Sequence, residues 1–576
     1  MLNACNQDSQ KQNVLTTAEA LLRNENIHSY DKAGFINISA YLALQASSTD
    51  EKSLESTINK LNIADAIKNF LLENLDEWIE ASILLQNHLT DSELRDLVLS
   101  TTESLQANRL KGESSSPDSI CRLATRLLDI TANDRVADLG CGNGAFMTYA
   151  ALNTPVQHFY GVDVNKLSVV LSTLKADVMG SNATIELGDM LEITSLRSFD
   201  KVFSQYPFGM RPSHMHGNGQ YYEMIRSGKE GIGRPASSDW IFNKLAFDSL
   251  TENGKAVVVM TNGATFNGGD EQARKYFVDN NMIEAIIALP ARLFSGASIS
   301  TTLMVLSKNQ DSIRMVDATD LFIDGRRVNT MDNDQVEEIV TRLSSDCKNS
   351  RLVTASEIAS TDYNLFPPRY LGRDIELVNA TPLGKLALSI ERAAALTAQK
   401  LDALTVNEDT GLNYLRLADI NDGDISDNLP NLRELNPKMQ KQKLQSGDLI
   451  ISKSGAPFKV AVVDVPEGRT LIANGNLYIV RLDTSIVDPY FVAAFLMSND
   501  GKELMDRLVV GTAIPSLPLG NLQKLEIPVP NSEIQENIAQ LYRVRIDEIK
   551  VLKARLKKTC IGLTTAYDEV EKHCSL

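Results

Sequence analysis

Cysteine is scarce in this 576-residue chain, and its six copies (Cys5, Cys121, Cys141, Cys347, Cys560 and Cys574) never form a CxxC pair. That spacing argues against a disulfide scaffold or a zinc ribbon and for reduced thiols. Long hydrophobic runs are also missing. None approaches the roughly 20 apolar residues of a membrane span, and the opening MLNACNQDSQKQN lacks the basic and apolar regions of a secretory leader. The expected location is therefore cytoplasmic, with no membrane partner and no metal. Basic charge is in deficit, 57 Lys and Arg against 74 Asp and Glu, for a net charge of −17. A nucleic-acid binder ordinarily shows the opposite imbalance. The deficit is uneven, however: −8 falls in residues 1–110, −6 in 111–370 and only −3 in 371–576.

A chain of this length exceeds one hydrophobic core, and its texture changes along the way. Residues 1–108 contain no proline and place Leu61, Ile63, Ala66, Ile67, Phe70 and Leu71 at helical spacing, which predicts a helical N-terminal domain. Residues 109–370 alternate β-branched runs (RVADLG, HFYGVDV, ATIELGD, KVFSQY, KAVVVMT, IEAIIALP, TTLMVLS) with helical stretches, the pattern of an α/β domain with a mostly parallel sheet. The stretch DYNLFPPRYLGRD reads as the linker that closes it. Residues 371–530 carry short strands with turn signals and predict a mixed, β-rich domain. Residues 531–576 place Tyr542, Ile546, Ile549, Leu556, Cys560 and Leu563 on a heptad seam, broken at Lys553, of one long helix that needs a partner.

The motif DLGCGNG, residues 138–144, follows a strand and opens a helix, where an α/β sheet binds nucleotide-like ligands. Gly140 and Gly142 permit a tight turn and close approach of a ligand, and Gly144 permits close helix packing. Asp163, at the end of the next strand, can accept hydrogen bonds from ribose hydroxyls. Asp138 opens the loop, and Asp189 ends a third strand where it can meet an adenine amino group. These features in register favour S-adenosyl-L-methionine over a dinucleotide, and no Lys-Ser or Lys-Thr follows to make a phosphate loop. Cys141 reads as packing. His214 and His216 lie in a Gly-rich loop without a third ligand nearby, so a mobile loop over a substrate is the better reading, with Arg211, Arg226, Lys229 and Arg234 available to phosphates.

After the fourth strand comes SQYPFGM, residues 204–210. Here, and through SSDWIFNKLAFDSLTENGKAVVVMTNGATF, IIALPARLFSGASISTTLMVLSKN and DYNLFPPRYL, the chain resembles the modification subunits of type I restriction systems. That resemblance implies a class I S-adenosylmethionine-dependent methyltransferase (Rossmann-like) domain that methylates adenine N6 in DNA. The family carries Asn-Pro-Pro-Phe where this chain has Gln205, Tyr206, Pro207 and Phe208. The resemblance makes Phe208 the ring that stacks on a flipped base, Pro207 a rigidifier, and Gln205 and Tyr206 the sources of carbonyl oxygens for the amine. SSSP, residues 114–117, partly matches a Thr-Pro element and brings Pro117 to the cofactor's methionine end. Gln205 is one methylene longer than Asn, which leaves two readings: an active enzyme with a variant loop, or a weak or silent methyltransferase fold that binds and assembles.

From PLGKLALSI onward, through NYLRLADINDGDI, LQSGDLIISKSGAPFKVAVV and GTAIPSLPLGNLQKLEIPVP, the chain is similar to one half of a type I specificity subunit. This implies a target-recognition domain followed by a spacer helix. Lys453, Ser454 and Lys459, with Arg469 and Asn474, become candidate contacts to double-stranded DNA. The implied partners are a second copy or a separate specificity subunit through the helix seam, and a restriction (translocase/nuclease) subunit.

Overall fold

A computed structural model describes residues 14–574 except 26, 28–33, 47–50, 62, 101–114, 193–197, 229–230, 295–299, 373–374, 394–399, 401–402, 456 and 510–515, together with the side chains of 51, 438 and 562–574. Ser114, Lys229 and the side chain of Leu563 thus lie outside the described residues. The chain divides into two units, Met1–Leu371 and Gly372–Leu576.

The first unit is built on one nine-stranded sheet. In chain order its strands are β1 (Arg135–Leu139), β2 (His158–Asp163), β3 (Ala183–Leu187), β4 (Phe199–Gln205), β5 (Leu250–Thr261), β6 (Ile283–Ala288), β7 (Thr301–Ser307), β8 (Ser312–Asp317) and β9 (Ser350–Thr354). Their spatial order is β3-β2-β1-β4-β5-β7-β6-β8-β9. Strands β1 to β5 run parallel, whereas β7 is antiparallel to both β5 and β6. The seven runs read as strands are all strands. The order reverses at β1, between β2 and β4, and the carboxyl ends of the strands at such a reversal are the place where open α/β sheets bind ligands. Strands β5 to β7 are buried on both faces, as their continuous apolar runs require. One face is covered by the helices Asp239–Asp248 and Glu271–Asp279, the other by Asp118–Leu128, Ala145–Asn153 and Asn333–Ser344.

The N-terminal helices, among them Phe35–Gln45, Leu75–His88 and Asp91–Leu99, share their core with Val169, Val170, Leu171, Leu174 and Val178 of the helix Lys166–Met179 that follows β2. The Tyr41 hydroxyl donates to Asp177 at 2.6 Å across this contact. The stretch read as a linker is packed in as well. Leu365 N donates to Thr265 O at 2.8 Å, and the buried Arg274 guanidinium donates to the carbonyls of Tyr363 and Asn267 at 2.6 Å. Its prolines therefore shape a turn beside the end of β5, and the first unit ends just after it, at Leu371.

The second unit holds a four-stranded sheet (Ala387–Arg392, Leu477–Leu482, Leu449–Ser452, Val460–Val462) and another of Thr405–Val406, Asn431–Leu432, Leu412–Leu415 and Thr470–Ala473. The helix Ser532–Cys574 runs for 43 residues. Its first turns belong to the unit's core, because Ala539 is buried and Tyr542 packs against the same cluster. The seam is corrected here: Tyr542 and Ile546 face Gly423, and Lys553, read as a break, pairs with Asp422 and Asp424 at 3.4 and 3.6 Å.

Candidate active site

The residues 138–144 form the turn between β1 and the helix Ala145–Asn153, and all three glycines have positive φ, +83° at Gly140, +52° at Gly142 and +75° at Gly144. At Gly144 a Cβ would lie 3.1 Å from Ser172 Oγ and 3.3 Å from Ser172 Cα, so close helix packing requires glycine there. At Gly142 a Cβ would meet nothing within 4 Å, which makes this the open side of the turn. The loop is tied to β2 by hydrogen bonds from Gly140 N and Cys141 N to Val162 O at 3.0 Å, and Ser172 Oγ donates to Gly142 O at 2.7 Å. Cys141 is buried against Gly161.

Three acids surround this turn. Asp163 accepts from Gly142 N at 2.9 Å and from Asn165 N at 2.8 Å, so its carboxylate braces the glycine loop and starts the next helix. Asp138 is 2% exposed, and no group among the described residues donates to its carboxylate. Burial, followed by the neighbouring Asp163, pushes its pKa well above the usual carboxylate range. A buried acid that lacks a donor fits a site whose ligand brings a positive charge or donors. Asp189 is engaged: its Oδ1 accepts from Leu191 N at 2.9 Å and its Oδ2 from the Tyr222 hydroxyl at 2.5 Å.

Strand β4 lies beside β1, with Asp138 level with Phe203, and so delivers residues 205–208 to the same end of the sheet as the glycine turn. Gln205 O lies 3.7 Å from the Cβ position of Gly140. Gln205 Oε1 accepts from the Ser116 hydroxyl at 2.7 Å. The Tyr206 side chain points into the core. It stacks on Phe242 at 4.6 Å, donates to Asn243 Oδ1 at 2.8 Å and is 1% exposed, so only its backbone is open to chemistry. Pro207 and Phe208 are half-buried, and the Phe208 ring meets Phe294 edge-on at 5.1 Å. Pro117 stands before the helix Asp118–Leu128, and Ser115 next to Ser116 donates to Asn143 Oδ1 at 3.3 Å.

The structure thus brings Pro117, Asp138, the glycines, Asp163 and residues 205–208 to one end of the sheet. Sequence reasoning missed Ser116, Tyr222 and Ser172. Ser116 had a signal, a hydroxyl just before Pro117; Tyr222 had none. His214 and His216 are exposed, and Arg226 is drawn to Gly217 O at 2.9 Å and to Glu223.

In the second unit the candidate contacts divide. Lys459 Nζ donates to Leu417 O at 3.0 Å and Asn421 Oδ1 at 3.1 Å, and Arg469 binds Asn413 and Asp409. Both brace turns of their own domain. Asn474 accepts from Asn476 N. Lys453 and Ser454 lie on a half-buried turn, held through the backbone of Lys453 by Leu517 N and Asn476 O, with their side chains outside these bonds.

Comparison with known proteins bears on both units. Residues 98–376 match the N-6 DNA methylase family, and residues 397–558 match the type I restriction modification DNA specificity domain. The type I restriction enzyme MjaVIII methylase subunit of Methanocaldococcus jannaschii is 26% identical over 296 residues, 45% of this chain and 50% of that one. The MpnII methylase subunit of Mycoplasma pneumoniae is 26% identical over 308 residues, 47% of this chain and 55% of that one. The chain therefore spans about half the length of the curated relatives it matches. A solved type I restriction-modification methyltransferase subunit from Streptococcus thermophilus superposes with a TM-score of 0.48 at 17% identity, over 63% of this chain and 99% of that one.

Proposed function

From a chain whose residues 98–376 match the N-6 DNA methylase family and whose residues 397–558 match the type I specificity domain, we propose a site-specific DNA adenine-N6 methyltransferase that uses S-adenosyl-L-methionine. The strand order β3-β2-β1-β4-β5-β7-β6 is that of the class I methyltransferase fold. The observation that carries the reading is the junction of two features at neighbouring strand ends: the buried Asp138, without a donor among the described residues, beside an open glycine turn, and the Gln-Tyr-Pro-Phe loop whose backbone approaches that turn.

Pro117, Asp138, Gly140, Gly142, Gly144 and Asp163 would hold the cofactor, with Asp189 toward its adenine. Bound there, it supplies an electrophilic methyl group. An exocyclic adenine amine is a poor nucleophile because its lone pair is conjugated with the ring. Acceptance of its hydrogens by Gln205 Oε1 and the Tyr206 carbonyl favours the pyramidal nitrogen of the transition state. Phe208 stacks on the base, which must leave the duplex to reach it. Lys453 and Ser454 remain the candidate DNA contacts of the specificity domain.

The partner reading follows from the helix Ser532–Cys574. Beside the face consumed by its own unit, Ile534, Ile538, Leu541, Leu552 and Leu556 are 39–65% exposed, an apolar stripe suited to a second copy of the same helix. A restriction subunit would supply cleavage. The site of action is the cytoplasm, and among the described residues no helix is long and apolar enough to cross a membrane.

The test is incorporation of tritiated methyl groups into DNA from a host without the gene. Incorporation that Phe208→Ala reduces at least a hundredfold supports the reading. Absence of incorporation by the wild-type chain, alongside normal cofactor binding, would replace it with a silent binding or assembly subunit.

A further inference from the structure

The loop's departure from its family lies at Gln205, whose arm is one methylene longer than that of asparagine. A free glutamine side chain explores many rotamers, and fixing it costs conformational entropy. Here the arm is half-buried and its acceptor end is held by the Ser116 hydroxyl at 2.7 Å. Resting on the methyltransferase reading, we propose that Ser116 is a positioning residue for methyl transfer, matched to the longer Gln205, which it pins so that Oε1 can receive the target amine.

Three observations support this role. First, Ser116 is well anchored. Pro117 follows it at φ −63°, Pro117 O accepts from Ile120 N and Cys121 N at 2.9 and 3.0 Å, and the buried Cys121 thiol rests against Ser116 O at 3.7 Å. A hydroxyl on a fixed helix start can hold a flexible arm; one on a loose loop cannot. Second, Ser116 holds the acceptor end of the amide. A carbonyl oxygen has two acceptor sites, and a hydrogen bond from Ser116 at one of them polarises the oxygen toward a donor at the other. Third, the neighbouring Ser115 donates to Asn143 in the glycine turn at 3.3 Å, so the same short segment spans the cofactor loop and the catalytic amide.

Shortening the arm by one carbon–carbon bond moves the amide about 1.5 Å from Ser116, beyond hydrogen-bond reach. Ser116 and Gln205 should therefore behave as one unit, and Gln205→Asn should not improve the enzyme although it restores the family residue.

The experiment uses the full chain, DNA from a host lacking the gene, and saturating cofactor, and compares the wild type with S116A, S116T, Q205N and S116A/Q205N. S-adenosylhomocysteine affinity is measured by calorimetry in parallel. The expected result is a 10- to 100-fold fall in single-turnover rate for S116A, recovery to within threefold for S116T, and S-adenosylhomocysteine affinity within threefold throughout. Q205N should fall comparably, with S116A adding less than threefold to it. Wild-type rates in S116A, multiplicative losses in the double variant, or a faster Q205N would each overturn the positioning role while leaving the methyltransferase reading intact. A parallel loss of S-adenosylhomocysteine affinity in S116A would overturn it by making Ser116 a cofactor ligand. No incorporation by the wild type would overturn both.

Discussion

Asp138 and Asp189 stand at the ends of two strands of one sheet, yet their surroundings assign them different work. Asp138 is buried and has no donor among the described residues, whereas Asp189 is fixed from both sides by Leu191 N and the Tyr222 hydroxyl. If Asp189 serves the cofactor's adenine, Tyr222 sets the direction of its carboxylate. Tyr222→Phe should weaken S-adenosylhomocysteine binding about tenfold, as expected for a lost hydrogen bond to a charged group, and should weaken an analogue lacking the adenine amino group much less. Calorimetry with both ligands measures this. Asp239 carries a pH signature. Burial raises its pKa to about 6, against the lowering effect of hydrogen bonds from Thr261 N and Oγ1 at 2.7 and 3.0 Å. The folded chain then binds more protons than the unfolded chain between about pH 4 and pH 6. Asp239 thus favours the folded state most below that window and loses this contribution as pH rises through it. Urea titrations at several pH values should show Asp239→Asn lacking that part of the slope. The glycine turn and Asp163 were legible in the sequence because local backbone geometry and the next strand fix their spacing. Ser116 and Tyr222 were not, since each meets its partner across 89 or 33 residues by tertiary approach.

At the scale of elements, periodicity revealed the long C-terminal helix, but not what its seam touches. Heptad spacing states that Tyr542 and Ile546 share a face; whether that face meets another chain or its own domain depends on the turn at Gly423, far away in sequence. Gly423 has φ +79°, and a Cβ there would sit 2.5 Å from Tyr542 Oη and 2.8 Å from Ile546 Cδ1. Gly423→Ala should combine left-handed strain of about 1–2 kcal/mol with overpacking of about 1–3 kcal/mol. Gly468, at φ +75° with nothing within 4 Å of its Cβ position, provides the matched control. Chemical denaturation of the full chain should therefore show Gly423→Ala the less stable of the two by at least 1 kcal/mol. Equal losses would mean that the helix does not bear on this turn. The stretch DYNLFPPRYLGRD does close the first unit, which ends at Leu371, but what its prolines touch was hidden for a related reason. Paired prolines indicate a fixed backbone, and only the buried Arg274 reveals that the fixed segment is clamped beside the end of β5.

For the whole molecule, the two cuts that linear domain boundaries invite would remove parts of cores. Deleting residues 1–108 would uncover Val169, Val170, Leu171, Leu174 and Val178, and truncation after Pro530 would remove the buried Gln535 and Ala539. Either product would expose apolar surface and associate for reasons unrelated to the native assembly. The acidic N-terminal region is likewise better probed by neutralising exposed carboxylates than by deletion. Self-association calls for substitutions on the outward stripe of the long helix, where Leu552 and Leu556 are 63% and 65% exposed and contribute nothing to the unit's core. If two copies pair there, the wild type should scatter light at twice the chain mass of 63.4 kDa. Leu552→Glu with Leu556→Glu should return it to a single chain, because two charges on each helix would then meet across a dry seam. The unfolding midpoint should hardly move at concentrations where both proteins are monomeric. A wild type that remains a single chain at tens of micromolar would remove the homodimer and leave the stripe to a separate specificity subunit, detectable as a stable complex of one copy of each.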